Sequence, residues 1–113
     1  MPNNDSPFVW TDALILLSLT YNHDHGGADF NKIVSTADAI NHMILTREEL
    51  DGGLRRLRHA GYVEELGEKY GATQSVIEAY SRTTTPRRPM LKELEDMQRF
   101  LEAERKPDSS VVS

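Results

Sequence analysis

Apolar residues recur every three or four positions over several stretches of the chain, and polar or glycine-containing breaks separate these stretches. In the first stretch Leu14, Leu17 and Tyr21 fall on one face, which predicts a helix that begins near Thr11 or Asp12 and ends near Tyr21. Most other positions of this stretch are apolar as well. We therefore expect this helix to lie at the centre of the core.

A break at residues 22–27 contains two glycines and ends the first helix. Asp29 is well placed to accept hydrogen bonds from the free amide groups of a second helix. The spacing of apolar residues predicts that this second helix covers residues 30–42.

The third helix has the most specific local signal in the chain. Thr46 and Glu49 match a capping box, in which each side chain accepts a hydrogen bond from the backbone amide of the other residue. The motif predicts a helix over residues 47–60, with Gly61 as the left-handed residue that ends it. Gly52-Gly53 weakens this helix, and one explanation is close packing of another backbone at that position.

The second half of the chain predicts a small hairpin followed by two helices. Residues 62–66 alternate like a strand, and residues 70–72 form a short return strand after a glycine-containing turn. A short helix is predicted over residues 74–80 and a longer one over residues 90–105, with two prolines between them. The fold class expected from this pattern is mainly α with a small β-hairpin.

These elements predict a division of the chain into five parts. A disordered N-terminal arm is expected over residues 1–8 and a disordered tail over residues 106–113. Residues 9–81 form the predicted domain, residues 82–89 a linker, and residues 90–105 a separate C-terminal helix.

Composition restricts the possible functions. The 113 residues contain no Cys, which excludes disulfides, thiolate zinc ligands and a cysteine nucleophile, and fits a reducing cytoplasm. The longest apolar run, residues 13–17, is too short to span a bilayer, and no basic residue precedes it as in a signal peptide. We therefore expect a cytoplasmic protein with no membrane association.

The net charge of −5 is unevenly distributed. Residues 1–45 contain one base and five acids, whereas residues 46–70 contain five bases and six acids. Affinity for nucleic acid comes mostly from cations that neutralise phosphates. Binding to DNA would therefore need a local basic patch, because the overall field repels a polyanion.

The order of helix, helix, capped helix and hairpin resembles a winged helix-turn-helix domain, closest in layout to the PadR-like transcriptional regulators. The residues that carry the resemblance are Leu45-Thr46-Arg47-Glu48-Glu49-Leu50, Leu54-Arg55-Arg56-Leu57, Ala60-Gly61-Tyr62-Val63-Glu64, Gly67 and Tyr70-Gly71-Ala72-Thr73. It covers roughly residues 9–80. The resemblance implies a DNA-binding recognition helix over residues 47–60, a helix capped by Thr73 after the wing, and dimerisation through an extra helix. In such domains the recognition helix and wing are usually basic, whereas here they are mixed or acidic, and the wing is very short.

The candidate DNA contacts lie on the third helix and in the hairpin. They are Arg47, Arg55, Arg56, His59 and Lys69. Arginine suits bidentate contacts with guanine or phosphate. The carboxylates of Glu48 and Asp51 oppose this interpretation, since they would face phosphates. The alternative is a solvated helix face with ion pairs such as Asp51 with Arg55.

The C-terminal helix carries a short heptad-like apolar seam. Its members are Met90, Leu91, Leu94, Met97 and Leu101. One interpretation is that the seam pairs with a second subunit, which makes these five residues the candidate dimerisation contacts. The other is that the seam folds back onto the first helix of the same chain.

Residues that could support catalysis or metal binding are few. The chain has no glycine-rich phosphate loop and no recognisable nucleophile motif, so we predict a non-enzymatic protein with no catalytic residues and no cofactor. His23-Asp24-His25 has two histidines but no third ligand at a set spacing, which favours a polar turn over a metal site. Two functions remain: a homodimeric regulator that binds double-stranded DNA, and an interaction module that kept the fold and binds a protein partner.

Overall fold

The computed structural model describes residues 8–105, and their side chains as far as residue 103. Over this range the chain forms five α-helices and one two-stranded antiparallel hairpin, as the sequence predicts. The elements are α1 (Trp10–Tyr21), α2 (Phe30–Asn41), α3 (Arg47–His59), β1 (Val63–Leu66), β2 (Lys69–Ala72), α4 (Gln74–Thr83) and α5 (Met90–Arg105). The predictions of disorder for residues 1–7 and 106–113 lie outside the described residues.

α1 forms the centre of the core, as its apolar composition predicts. Every residue from Asp12 to Thr20 is buried, and four successive side chains, Leu14 to Leu17, are 0% exposed. α2, α3, α4, α5 and β2 all contact this helix. A helix that is apolar all round is stable only when it is covered on every side, which explains why five elements surround it.

The start of α1 differs from the predicted one. The helix begins at Trp10 rather than at Thr11 or Asp12, and Asp12 lies in its first turn. The Asp12 carboxylate accepts a hydrogen bond from the backbone amide of Val9 at 3.1 Å. Phe8, which was assigned to the disordered arm, is instead half-buried, with its ring centroid 6.0 Å from that of Tyr62.

The predicted caps at the starts of α2 and α3 are confirmed, and each helix ends one residue before its predicted end. Asp29 accepts from the amide of Lys32 at 2.9 Å. The Glu49 carboxylate accepts from the amide of Thr46 at 2.9 Å, and the Thr46 hydroxyl accepts from the amide of Glu49 at 3.1 Å. Gly61 follows α3 with a φ of +90°, which only glycine adopts without strain.

The hairpin is attached to the segment between α1 and α2. β1 and β2 pair from Val63 with Ala72 to Leu66 with Lys69. Ala28 forms a bridge to Tyr70 on the other edge of β2, with two backbone hydrogen bonds of 2.9 Å. A side chain at Gly27 would meet the Tyr70 carbonyl oxygen at 2.5 Å, so this close approach of two backbones requires glycine.

α4 begins at Gln74 as predicted, but it is longer than predicted and lacks the predicted cap from Thr73. It continues to Thr83 rather than ending near residue 80, which leaves six residues before α5. Thr73 precedes α4, but its hydroxyl makes no cap; it donates to the carbonyl oxygen of Gly61 at 2.9 Å. This hydrogen bond therefore connects the end of the hairpin to the residue that ends α3.

α5 packs on α1 of the same chain, and this corrects the assignment of its whole seam to dimerisation. Leu94, Met97 and Leu101 are 4%, 4% and 2% exposed within the single chain. Met90 and Leu91, the other two members of the seam, are 44% and 54% exposed. The seam of α5 packs on α1 because the apolar side chains of α1 must also be buried on the side that α2 and α3 do not contact.

Candidate functional site

The exposed stripe of α3 is the surface that the predicted DNA contacts share. Leu50, Leu54 and Leu57 are buried, and this orientation of the helix determines which side chains face solvent. We call this stripe the α3 face; it consists of Arg47, Glu48, Asp51, Arg55, Arg58 and His59. The hairpin β1–β2 lies beside it and contacts the end of α3.

Arg47 is accessible but already has partners. Its Nε lies 3.5 Å from the Asp51 carboxylate, and its guanidinium carbon lies 4.1 Å from the ring centroid of Phe30. The sequence suggested an ion pair of Asp51 with Arg55, one turn later in α3. In the structure Asp51 instead pairs with Arg47, one turn earlier. Both members of the pair are largely exposed, so the pair restrains Arg47 only weakly.

Arg56, one of the predicted DNA contacts, is held by an ion pair within the chain, and its side chain is 36% exposed. Its Nε and Nη2 atoms donate to the two carboxylate oxygens of Asp12 at 2.7 and 2.8 Å. Asp12 is 0% exposed, so this bidentate pair neutralises a carboxylate inside the core. The hydrogen bonds with Asp12 also raise the pKa of Arg56.

Gly53 makes room for this ion pair. A Cβ atom at this position would lie 2.4 Å from Ile15 Cδ1 and 2.8 Å from Asp12 Oδ1. The predicted close approach is therefore real, although the neighbours at Gly53 are side chains of α1 rather than a backbone. At Gly52 the added atom would meet only the Arg56 guanidinium, at 3.3 Å.

The hairpin adds acidic rather than basic groups to the surface. Glu64, Glu65 and Glu68 are exposed, and Lys69 is the one base of β1 and β2. Glu65 forms an ion pair with Arg58, which links the hairpin to α3. Among the described residues Arg55 makes no ion pair, and it lines a cleft of about 140 Å³ together with Asp51, Leu54, Arg58 and Tyr70.

A buried polar cluster lies where α1, α4 and α5 meet. Glu93 is 6% exposed and accepts hydrogen bonds from the hydroxyls of Tyr21, Tyr80 and Thr84, with 3.1 and 3.2 Å between Tyr80 and the two carboxylate oxygens. Burial, followed by hydrogen bonding to Glu93, raises the pKa of Tyr21 well above its usual range. The phenols thus stay protonated and serve as the donors that a buried carboxylate needs.

Nothing in the local sequence indicates this cluster. Glu93 is one of several charged residues in α5, and the structure turns it inward next to Leu94. Its partners lie nine to 72 positions away along the chain. A cleft of about 360 Å³ lies beside the cluster, between α4 and α5.

No protein-family model, no curated protein and no solved structure matches this chain. Function therefore has to be argued from the surfaces and sites of this molecule alone.

The described part of the chain contains neither a candidate metal-binding cluster nor a helix that could span a membrane. Among the side chains described, residues 8–103, no three His, Asp or Glu come together in a way that could hold a metal ion, and His23 and His25 lie exposed in a short 3-10 turn. None of the helices formed by these residues is long and apolar enough to cross a membrane.

Arg88, in the segment between α4 and α5, forms an ion pair with α5, so this segment is not a free linker. Arg88 donates from Nε and Nη2 to the two oxygens of Asp96 at 2.6 and 2.9 Å. Arg99 lies 3.3 Å from the same carboxylate. The hydrogen bonds from Arg88 hold the pKa of Asp96 below its ordinary value of 3.8.

Replacing Asp96 by Asn is expected to lower the stability of the fold at neutral pH and to matter less in acid. A depressed folded-state pKa stabilises the protein above the unfolded pKa, and this contribution disappears as the pH falls through the folded value. The difference in melting temperature between wild type and Asp96→Asn should therefore shrink below pH 3.8. Glu95→Gln on the same helix is the control, and a difference that is equally large at every pH would contradict the assignment.

Proposed function

We propose that residues 9–81 form a winged-helix domain. The order of α1, α2, the capped α3 and the hairpin supports this proposal, as does the end of α3 at Gly61 followed directly by β1. The Ala28 bridge adds a third backbone segment to the hairpin, which favours a small sheet fixed against the helices. α5 then completes the core of this domain by covering α1.

The domain binds a protein rather than DNA, and the charge of the surface around α3 carries this proposal. The accessible charged groups of the α3 face and the hairpin are Arg47, Arg55, Arg58, Lys69, Glu48, Asp51, Glu64, Glu65 and Glu68. Four are positive and five are negative, so the surface has no net positive charge to neutralise phosphates. A mixed surface of this kind suits the rim of a protein interface.

The partner should present cations to the hairpin. Glu64 and Glu68 are exposed and form no ion pair within the described residues, while Leu66 between them is 43% exposed. A partner surface with Lys or Arg side chains around an apolar contact would complement this tip. Electrostatic complementarity of this kind mainly sets specificity and association rate.

Titration of random-sequence duplex DNA with the purified protein tests whether the domain binds DNA. We expect no binding even at low salt, where charge interactions are least screened. The variant Glu64→Lys/Glu68→Lys reverses the charge of the hairpin and should gain affinity, which shows that the assay is sensitive. Wild-type binding that weakens steeply as salt rises would contradict a protein-only role.

DNA binding is the second candidate, and one observation favours it. In the C-terminal half of the α3 face Arg55, Arg58 and His59 are all exposed, and no carboxylate of α3 lies among them. If duplex DNA binds, Arg55→Ala and Lys69→Ala should each weaken binding, and Lys69→Ala should lower the salt dependence by about one phosphate contact. Lys32→Ala on α2 is the matched control. Arg56→Ala must be avoided, because it removes the partner of a buried carboxylate.

The protein partner can be sought by affinity capture from cells of the source organism. A protein retained by the wild type and lost by Glu64→Lys/Glu68→Lys would support the hairpin as its binding site. Equal retention by both would contradict that site. We further propose that the chain is non-enzymatic, works in the cytoplasm and forms a homodimer, for which Met90 and Leu91 remain accessible.

A further inference from the structure

The cleft of about 360 Å³ between the last turns of α4 and the middle of α5 has the size and the wall of a ligand site. We call it the α4–α5 cleft. Ala79 and Tyr80 of α4 and Met97 and Phe100 of α5 form much of its wall. Sites for small molecules in proteins measure about 300–1,000 Å³ and are mostly apolar, with a few polar groups that orient the ligand. The polar groups of this cleft therefore indicate which class of molecule it fits.

Two acidic side chains line the α4–α5 cleft, and both already have partners within the chain. The carboxylate oxygens of Glu93 accept hydrogen bonds from three hydroxyl groups, and the residue is 6% exposed. Asp96 accepts two hydrogen bonds from Arg88 and lies 3.3 Å from Arg99, which leaves its side chain 15% exposed. Neither acid therefore offers an accessible, unpaired carboxylate to a cationic ligand.

The two bases that line the α4–α5 cleft are accessible. Arg82 of α4 is exposed and forms no ion pair with any described residue. Glu78, one turn earlier on α4, accepts a hydrogen bond from Gln74 at 3.3 Å. Arg99 of α5 keeps 70% of its side chain exposed beside Asp96. The accessible charge of the cleft is therefore positive, and it comes from one guanidinium group on each helix.

We propose that the α4–α5 cleft binds a small carboxylic acid with an apolar body, whose carboxylate contacts Arg82 and Arg99 while its body packs on Met97 and Phe100. Guanidinium groups match the planar geometry of a carboxylate, and their hydrogen bonds to it are charge-assisted. A methionine side chain adapts to apolar ligands of different shape. The site is separate from the hairpin and does not depend on the protein partner proposed for that surface.

Titration of the full chain with octanoate, followed by two-dimensional amide NMR, tests this proposal. We expect saturable changes in chemical shift that are concentrated at the cleft, at the amides of Ala79, Thr83 and Phe100 among others. The melting temperature should rise with the octanoate concentration, because a ligand that contacts both helices binds only the folded chain. Shift changes that do not saturate, or that centre on another part of the surface, would overturn the proposal.

Octanol and octylamine separate recognition of the carboxylate from binding of the alkyl chain alone. Both have the same chain length as octanoate, but one carries a neutral group and the other a cation. Each should bind at least about tenfold more weakly than octanoate, because neither can accept charge-assisted hydrogen bonds from the two guanidinium groups. Equal affinity for all three compounds, or a preference for octylamine, would overturn the assignment of a carboxylic acid.

Charge reversal at the cleft provides the matched variants. Arg82→Glu should weaken octanoate binding by at least about tenfold and strengthen the binding of octylamine. Arg87→Glu makes the same change at an exposed residue outside the cleft and should leave both affinities unchanged. Both substituted side chains are exposed, so the melting temperature without ligand should stay close to that of the wild type. Equal octanoate affinity in the Arg82→Glu and Arg87→Glu variants would contradict the proposed site.

Discussion

Replacing Arg56 by Ala should destabilise the protein by about 3–5 kcal/mol, because it leaves the fully buried carboxylate of Asp12 without its counter-ion. Urea unfolding followed by circular dichroism measures this directly. Arg55→Ala is the matched control, since Arg55 is the same residue type one position earlier and is exposed. We expect that control to change the free energy of unfolding by no more than about 0.5 kcal/mol.

Removal of both charges should be less harmful than removal of one. The double variant Asp12→Leu/Arg56→Leu eliminates the buried carboxylate together with its partner, so its stability should exceed that of Arg56→Ala. Equal losses from Arg56→Ala and Arg55→Ala would contradict the role of Arg56 as the counter-ion of Asp12. The result also affects functional work: loss of DNA binding in an Arg56 variant would report unfolding rather than a lost contact.

Replacing Leu101 by Ala should destabilise the protein by about 2–5 kcal/mol. Leu101 is 2% exposed where α5 covers α1, and truncation would leave a cavity between the two helices. Leu91→Ala is the control on the same helix, because that side chain is 54% exposed in the single chain. Unfolding should be measured at low protein concentration, so that the monomer dominates and dimerisation adds nothing to the stability.

The Leu101 variant decides whether α5 belongs to the core of each chain. If Leu101→Ala lowered the dimerisation constant and left the stability of the monomer unchanged, the seam would face a second subunit rather than α1. If it lowered the stability of the monomer, the seam would belong to the core of each chain, as its burial indicates.

Local sequence determined the elements and most of their ends. The capping box of Thr46 and Glu49, the cap at Asp29 and the glycine after α3 all act between residues a few positions apart, so their geometry follows from the residues themselves. The same holds for the hairpin, whose two-residue turn begins with Gly67 at a φ of +70°. For this reason the mainly α fold with a small hairpin was predictable.

The candidate site was less predictable, because its residues differ only in their distant neighbours. Arg55 and Arg56 are identical side chains in adjacent positions, yet only Arg56 forms a bidentate ion pair with the buried Asp12, 44 positions earlier. Helical periodicity does not distinguish Glu93 from the other acids of α5, and its burial depends on hydroxyl donors that include Tyr21, 72 positions earlier. Helical spacing gives the angle of a side chain around its axis but not which charged groups lie across from it.

By itself, the sequence determined the helices, the hairpin and the caps that bound them, because short-range hydrogen bonds and apolar periodicity specify these features. Only the tertiary structure decided that Arg56 neutralises Asp12, that Glu93 connects α5 to α1 and α4, and that α5 turns Leu94, Met97 and Leu101 inward. The physical reason is that burying a charge or an apolar seam depends on what packs against it, and those partners come from distant parts of the chain.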